Sequence, residues 1–193
     1  MKSRSKKYQA LINTSRELFW KFGFKKISVE EICEKSGVSK MTFYRYFSNK
    51  TELAKAVFDN ATEEGLIRFR NIMRNDNTSG LEKMELMLAM KMEGTNDLSR
   101  EFLEDFYTSP ELGLSQYVAD KSMQVWKQII KDFETAQQKG WFRQDFKPEG
   151  LLIMLNKLSE TIQDPQMLQI YGNPQALLME LTKFFTFGIL PRK

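Results

Sequence analysis

A chain of 193 residues with 41% hydrophobic and 12% aromatic side chains is long enough to bury a substantial core as one ordinary domain or two small ones. It has no histidine and a single cysteine, Cys33, so imidazole-based catalysis and His/Cys metal sites are excluded and no internal disulfide can form. The net charge of +4 is unevenly spread: residues 1–50 carry 12 Lys/Arg against 4 Asp/Glu, and the remainder carries 17 against 21. A basic N-terminal quarter on a mildly acidic body points to contact with a polyanion, or else to a solvated charged face.

No apolar run approaches the roughly 18 residues a membrane span needs, and the polar start MKSRSKKYQ has no signal-peptide core. The single cysteine fits a reducing, cytoplasmic setting. Nothing in the pattern supplies a nucleophile–base pair, metal-spaced ligands or a phosphate-binding glycine loop, so the expectation is a protein without enzymatic activity, metal or cofactor.

Taken in chain order, the periodicity is helical nearly throughout. Tyr8, Leu11, Ile12, Ser15, Leu18, Phe19 and Phe22 follow the i, i+3, i+4, i+7 stripe of an amphipathic helix that stops at Gly23. A second helix opens at Ser28, where Ser28-Val29-Glu30-Glu31 reads as a capping box with Glu31 reaching back. Ile32 and Cys33 face inward, the cysteine as a small buried hydrophobe, and Gly37 ends the helix. Ser39 caps a short third helix, Lys40 to Phe47, and Asn49 with Glu52 caps a fourth from Lys50 to about Arg74.

The polar run 75–80 is the clearest loop, and further helical patterns follow over 80–93, 98–107, 112–139, 148–163 and 174–188. Gly94, Pro110, Gly140, Pro148, Pro165 and Gly172-Asn173-Pro174 punctuate them. No sustained strand alternation is present, so the fold class is all-α.

Two short helices joined by a glycine-containing turn inside a basic segment satisfy the needs of a helix-turn-helix. Val38, Phe43 and Phe47 are spaced to pack one face of the third helix, which leaves Lys40, Met41, Thr42, Tyr44, Arg45 and Tyr46 on the other. Lys and Arg suit phosphates or guanine edges, Thr either, Met a thymine methyl, and Tyr hydroxyls phosphate oxygens. Lys50 adds a cation at a helix start, and Ser28 and Ser39 sit at the two preceding N-termini. The candidate DNA contacts are therefore Ser28, Ser39, Lys40, Met41, Thr42, Tyr44, Arg45, Tyr46 and Lys50.

With these residues in view, Leu11 to Leu53 resembles the DNA-binding domain of TetR-family (TetR/AcrR-type) regulators. The match runs through Leu18-Phe19-x-x-Phe22-Gly23-Phe24, Ser28 to Ile32, Gly37 to Phe47, Lys50 and Leu53. Met41 stands where the family often has glycine, and Tyr46 where it often has histidine, which implies an altered base preference or phosphate geometry.

The resemblance implies a three-helix helix-turn-helix domain at 1–50, a connecting helix over 50–74, and a helical effector-binding and dimerisation domain at 75–193. It implies an Ω-shaped homodimer on a palindromic DNA operator, controlled by a small-molecule effector, with the last two long helices forming the dimer interface. Candidates there are Leu151, Leu155, Leu158, Ile162, Leu177, Leu181, Phe184 and Phe185, some of which must serve the monomer core.

The stripe Met84, Met87, Met90 and Met92 reads as core or as a pocket lining, and Phe102, Phe106, Tyr107, Tyr117, Trp126 and Trp141 as core or as a surface for a flat ligand. Met87, Phe102, Phe106, Tyr107, Tyr117 and Trp126 are the effector-binding candidates; Trp20 packs within the DNA-binding domain, and Glu104 and Asp105 read as solvated helix faces. The function expected is a ligand-responsive repressor, with an activator of the same fold or a helical module binding an acidic partner as the alternatives.

Overall fold

The computed structural model describes residues 5–150, 153–154, 161 and 164–189, with only the backbone at 185 and 186. Among these residues the secondary structure is helical and no strand occurs. The helices are α1 (Lys6–Phe22), α2 (Val29–Ser36), α3 (Lys40–Tyr46), α4 (Lys50–Arg74), α5 (Gly80–Gly94), α6 (Arg100–Leu103), α7 (Ser115–Gln138), α8 (Pro165–Tyr171) and α9 (Pro174–Gly188). They form two compact units, Met1–Glu63 with Asp97–Lys121, and Glu64–Asn96 with Ser122–Lys193.

In the first unit the helix starts follow the capping residues of the sequence. Side chains of Ser5, Ser28, Ser39 and Asn49 accept from the N–H of the residue three further on, namely Tyr8, Glu31, Thr42 and Glu52. The box at α2 is only half made: Ser28 caps, but the Glu31 carboxylate pairs with Lys35 at 3.1 Å, an i,i+4 contact that competes for it. Gly23 closes α1 at φ +79° and Gly37 closes α2 at φ +64°, backbone angles that cost a side chain strain.

Leu11, Ile12, Leu18 and Phe19 of α1 are buried with Ile32, Cys33, Val38, Phe43, Phe47, Leu53 and Val57 in one core. Each large apolar side chain so enclosed contributes about 1.5–3 kcal/mol. Phe22, expected on the inward stripe, is instead exposed at the α1 terminus, because the chain turns away at Gly23.

Residues 97–121 complete this unit. Ser99 caps α6, and the chain then widens into a single π-helical turn over Glu104–Thr108, where Ser109 N–H donates to Glu104 O at 3.0 Å. Phe102, Phe106, Leu114 and Val118 are buried there.

The second unit has its own core of Phe69, Met73, Met84, Ala136, Phe142, Phe146 and Ile189, with Met87 and Met90 packed against it. Ser79 and Glu82 form a complete capping box at α5. Gly80 lies so close to Trp141 that a Cβ would sit 2.2 Å from its carbonyl oxygen. The short helix α8, not foreseen from periodicity, starts on Asp164, whose side chain accepts from Gln166 and Met167 N–H, with Pro165 in the first turn.

Candidate nucleic-acid interface

Helix α3 is seven residues long and is oriented by its inward side chains. Phe43 is fully enclosed and Phe47 nearly so, with ring centroids 5.8 Å apart. Their burial turns the opposite face outward: Met41 is 77% exposed, Tyr44 56% and Tyr46 40%. Lys40 and Arg45 are exposed beside them and Thr42 is half-buried. Ser39 Oγ donates to Thr42 Oγ1 at 3.1 Å, which orients the threonine hydroxyl at the start of the helix.

Several of these side chains already have partners. Tyr46 OH is hydrogen-bonded to Ser5 Oγ, and its ring meets Tyr8 edge-on at 5.5 Å, so the start of α1 steadies the end of α3. Lys40 Nζ forms an ion pair with Glu30 in the first turn of α2.

Lys50 was expected to face phosphate, but its ammonium donates to the carbonyls of Phe24 at 2.8 Å and Ile27 at 2.7 Å and lies 4.1 Å from the Phe24 ring centroid. Burial there pushes its pKa below the ordinary lysine value. It acts as a fastening of the α1–α2 loop.

The same loop is gripped by Asp105. That side chain was expected to be solvated, yet the residue is 5% exposed. Its Oδ2 accepts from Phe24 N–H at 2.8 Å and Lys25 N–H at 2.9 Å. A buried carboxylate must find donors, and two loop amides supply them. Gly23 makes room, since a Cβ there would lie 2.8 Å from the same oxygen.

Lys25 Nζ reaches back to Ser109 Oγ at 3.1 Å and Glu111 at 3.0 Å, and Lys26 pairs with Glu101 at 2.9 Å. The hydrogen bond with Glu111 raises the Lys25 pKa. The loop that sets how α2 follows α1 is thus held through its N–H groups by the π turn and through its carbonyls by α4.

The effector candidates do not form one cluster. Phe102 and Phe106 stack at 4.5 Å and are buried against Trp20, whose ring lies 4.3 Å from Phe102, with Tyr107 6.2 Å from Phe102. They fill the core beneath α1. Tyr107 is partly exposed. Tyr117 donates to Asp59 Oδ2 at 2.8 Å, and desolvation followed by that bond raises its pKa to about 12.

Met87 and Trp126 belong to the other unit. There Met84 is core and Met92 is exposed, so the methionine stripe is divided between interior and surface.

Of the dimerisation candidates, Leu151, Leu155, Leu158 and Ile162 lie outside the described residues, as does the Phe185 side chain. Leu177 is fully buried in its own unit, Leu181 is half-buried and Phe184 is 70% exposed. Phe184 lines an open groove of about 430 Å³ with Phe146, Met154, Ile189, Arg143 and Lys147.

A capped α2, a left-handed glycine turn and a short α3 with a packed inner face and a polar, aromatic outer face constitute a helix-turn-helix. Residues 11–57 match the family model described as "Bacterial regulatory proteins, tetR family". A curated relative, the HTH-type transcriptional regulator UidR of Escherichia coli (strain K12), is 26% identical over 136 residues, covering 67% of this chain and 66% of UidR.

Among solved structures, the regulatory protein TetR from Rhodobacter sphaeroides superposes with a TM-score of 0.72 at 19% identity, covering 96% of this chain and all of that one. The transcriptional regulator FadR from Bacillus subtilis, solved in complex with stearoyl-CoA, gives 0.67 at 16% identity, covering 93% and 97%. Residues 11–57 are thus similar to the tetR family of bacterial regulatory proteins, and the chain as a whole shares the fold of these solved structures.

Sequence reasoning missed Glu30 and Asp105. Glu30 stands in the capping run with no local mark of its link to Lys40, and Asp105 lies 81 residues from Phe24.

Proposed function

We propose that this protein is a sequence-specific transcriptional repressor that binds a palindromic operator as a homodimer and releases it when a small-molecule effector binds. The observation that carries this is the outer face of α3, where Met41, Tyr44 and Arg45 stand exposed on a helix fixed by Phe43 and Phe47. A thymine methyl suits Met41, guanine or phosphate suits Arg45, and phosphate suits the Tyr44 hydroxyl.

In this reading residues 1–50 contact DNA, the helix over 50–74 connects, and 75–193 carries effector control and dimerisation. The loop fastened by Asp105 and Lys50 keeps the contacts in register. Two copies would place their α3 helices about 34–36 Å apart, one turn of DNA. A cytoplasmic location accords with this role; no described helix is long and apolar enough to cross a membrane.

Selection of bound duplexes from a random pool at about 150 mM salt tests the proposal directly. An inverted-repeat motif is the expected result. Weak, salt-sensitive binding with no motif would leave only general attraction to a polyanion and sink it. Met41→Gly should change the preferred base at one position per half-site, by about 1–3 kcal/mol of discrimination, with little effect elsewhere in the motif.

Support for the dimer comes from the apolar surface of the second unit, where Ile153, Met154, Phe184 and Phe187 are exposed. Such a patch is what a self-complementary interface covers. Phe184→Glu should shift the sedimentation equilibrium to monomer and weaken operator binding; an unchanged dimer would move the interface elsewhere.

A further inference from the structure

The DNA-facing end of this molecule is strongly cationic, with 12 Lys/Arg and 4 Asp/Glu in residues 1–50. One of the four acids is joined to the recognition helix: Glu30, in the first turn of α2, pairs with Lys40, the first residue of α3. Both side chains are more than half exposed, so the pair is formed in water on the outer surface. A carboxylate at such a place is unfavourable for plain attraction to phosphate, because it neutralises one cation and repels the backbone.

We infer that Glu30 is a specificity-determining residue, which withholds Lys40 from the phosphate backbone and presents the two side chains jointly to a G·C base pair. The inference rests on the repressor reading. In the major groove a G·C pair shows the O6 and N7 acceptors of guanine beside the N4 donor of cytosine. A lysine ammonium supplies the donor for the first, and a glutamate carboxylate the acceptor for the second.

Exposed ion pairs contribute little to stability, so matched base edges can replace this one at small cost. A phosphate offers no partner to the carboxylate. The hydrogen bond between the two holds the Glu30 pKa low and the Lys40 pKa high, so both stay charged near neutrality.

Glu30→Gln tests this, with binding to the selected operator and to a scrambled duplex measured across a salt series. Scrambled-duplex affinity should rise about three- to tenfold and its salt slope steepen by about one as Lys40 becomes free to meet a phosphate. Operator affinity should stay level or fall, and repeated selection should lose a G·C preference at one position per half-site.

Glu34→Gln, an exposed acid on the same helix, removes the same charge as a control. If it acts equally, or if Glu30→Gln moves both affinities together or neither, Glu30 does not set specificity. Absence of any motif with the unaltered protein would overturn the repressor reading itself, and with it this inference. A motif that Glu30→Gln leaves unchanged overturns the inference alone.

Discussion

Replacing Asp105 with alanine is expected to lower the stability of the first unit by about 2–4 kcal/mol and to weaken operator binding about tenfold even where the protein remains folded. The stability loss follows from the two amides left behind. Phe24 and Lys25 N–H both donate to Oδ2, Phe24 is buried, and no other acceptor for these amides is found among the described residues. A buried donor without an acceptor forfeits its full desolvation free energy.

The loss of affinity follows from position. The loop leads directly into Ser28 and α2, so its disorder spreads to the two helices that read DNA. If the competent arrangement is then occupied one time in ten, apparent affinity falls by that factor. Asp105→Asn keeps the shape and one acceptor oxygen and should lie between the two. A chemical-denaturation midpoint and an operator titration at a temperature of full folding separate the effects. Asp105→Ala with native operator affinity would show that the loop is held sufficiently by Lys50.

Lys83→Ala is expected to destabilise the second unit by about 3–5 kcal/mol, more than most lysine substitutions. Lys83 is fully buried, and its ammonium donates to Ile72 O at 3.1 Å, to Thr78 Oγ1 at 2.8 Å and to Asn75 O. It also lies 3.9 Å from the Trp141 ring centroid. It thereby satisfies the carbonyls at the end of α4 and closes the turn into α5.

Burial pulls the Lys83 pKa below the ordinary lysine value, and its oxygen acceptors and the Trp141 ring offset part of that desolvation. Truncation to alanine removes the ammonium from which Ile72 O and Asn75 O accept and leaves a cavity the length of the side chain. Lys83→Met retains the stem and should cost about 1–3 kcal/mol. Equal midpoints for Lys83→Ala and the unaltered protein would show that water takes over the carbonyls without penalty.

These two residues mark the boundary of what a linear reading recovers. The caps Ser28, Ser39 and Asn49, the stops Gly23 and Gly37, and the division of α3 into Phe43 and Phe47 against Met41 and Tyr44 stand in the structure as the pattern predicts. Each is a local matter, settled within three or four residues by hydrogen-bond geometry or helical period. The starts of α4 and α9 likewise follow from Asn49 with Lys50 and from Asn173 with Pro174.

Asp105 and Lys83 were not legible in this way. A charged residue on a helix reads as solvated unless a partner distant in sequence takes it in, and Asp105 finds its partners 80 and 81 residues away. For the same reason Lys50 fastens a loop, and Phe102 and Phe106 fill the core beneath Trp20. Periodicity marks a face as inward without naming what lies against it.

The sequence by itself therefore determined the all-α class, the helix-turn-helix and the side of α3 turned outward, because capping and the 3.6-residue period act over one or two turns. Only the tertiary structure decided which carboxylate grips the α1–α2 loop, which lysine is enclosed, and that Glu30 holds Lys40. Those pairings depend on segments brought together by burial of their apolar faces, and a buried polar group takes whichever partner that packing places within hydrogen-bond reach.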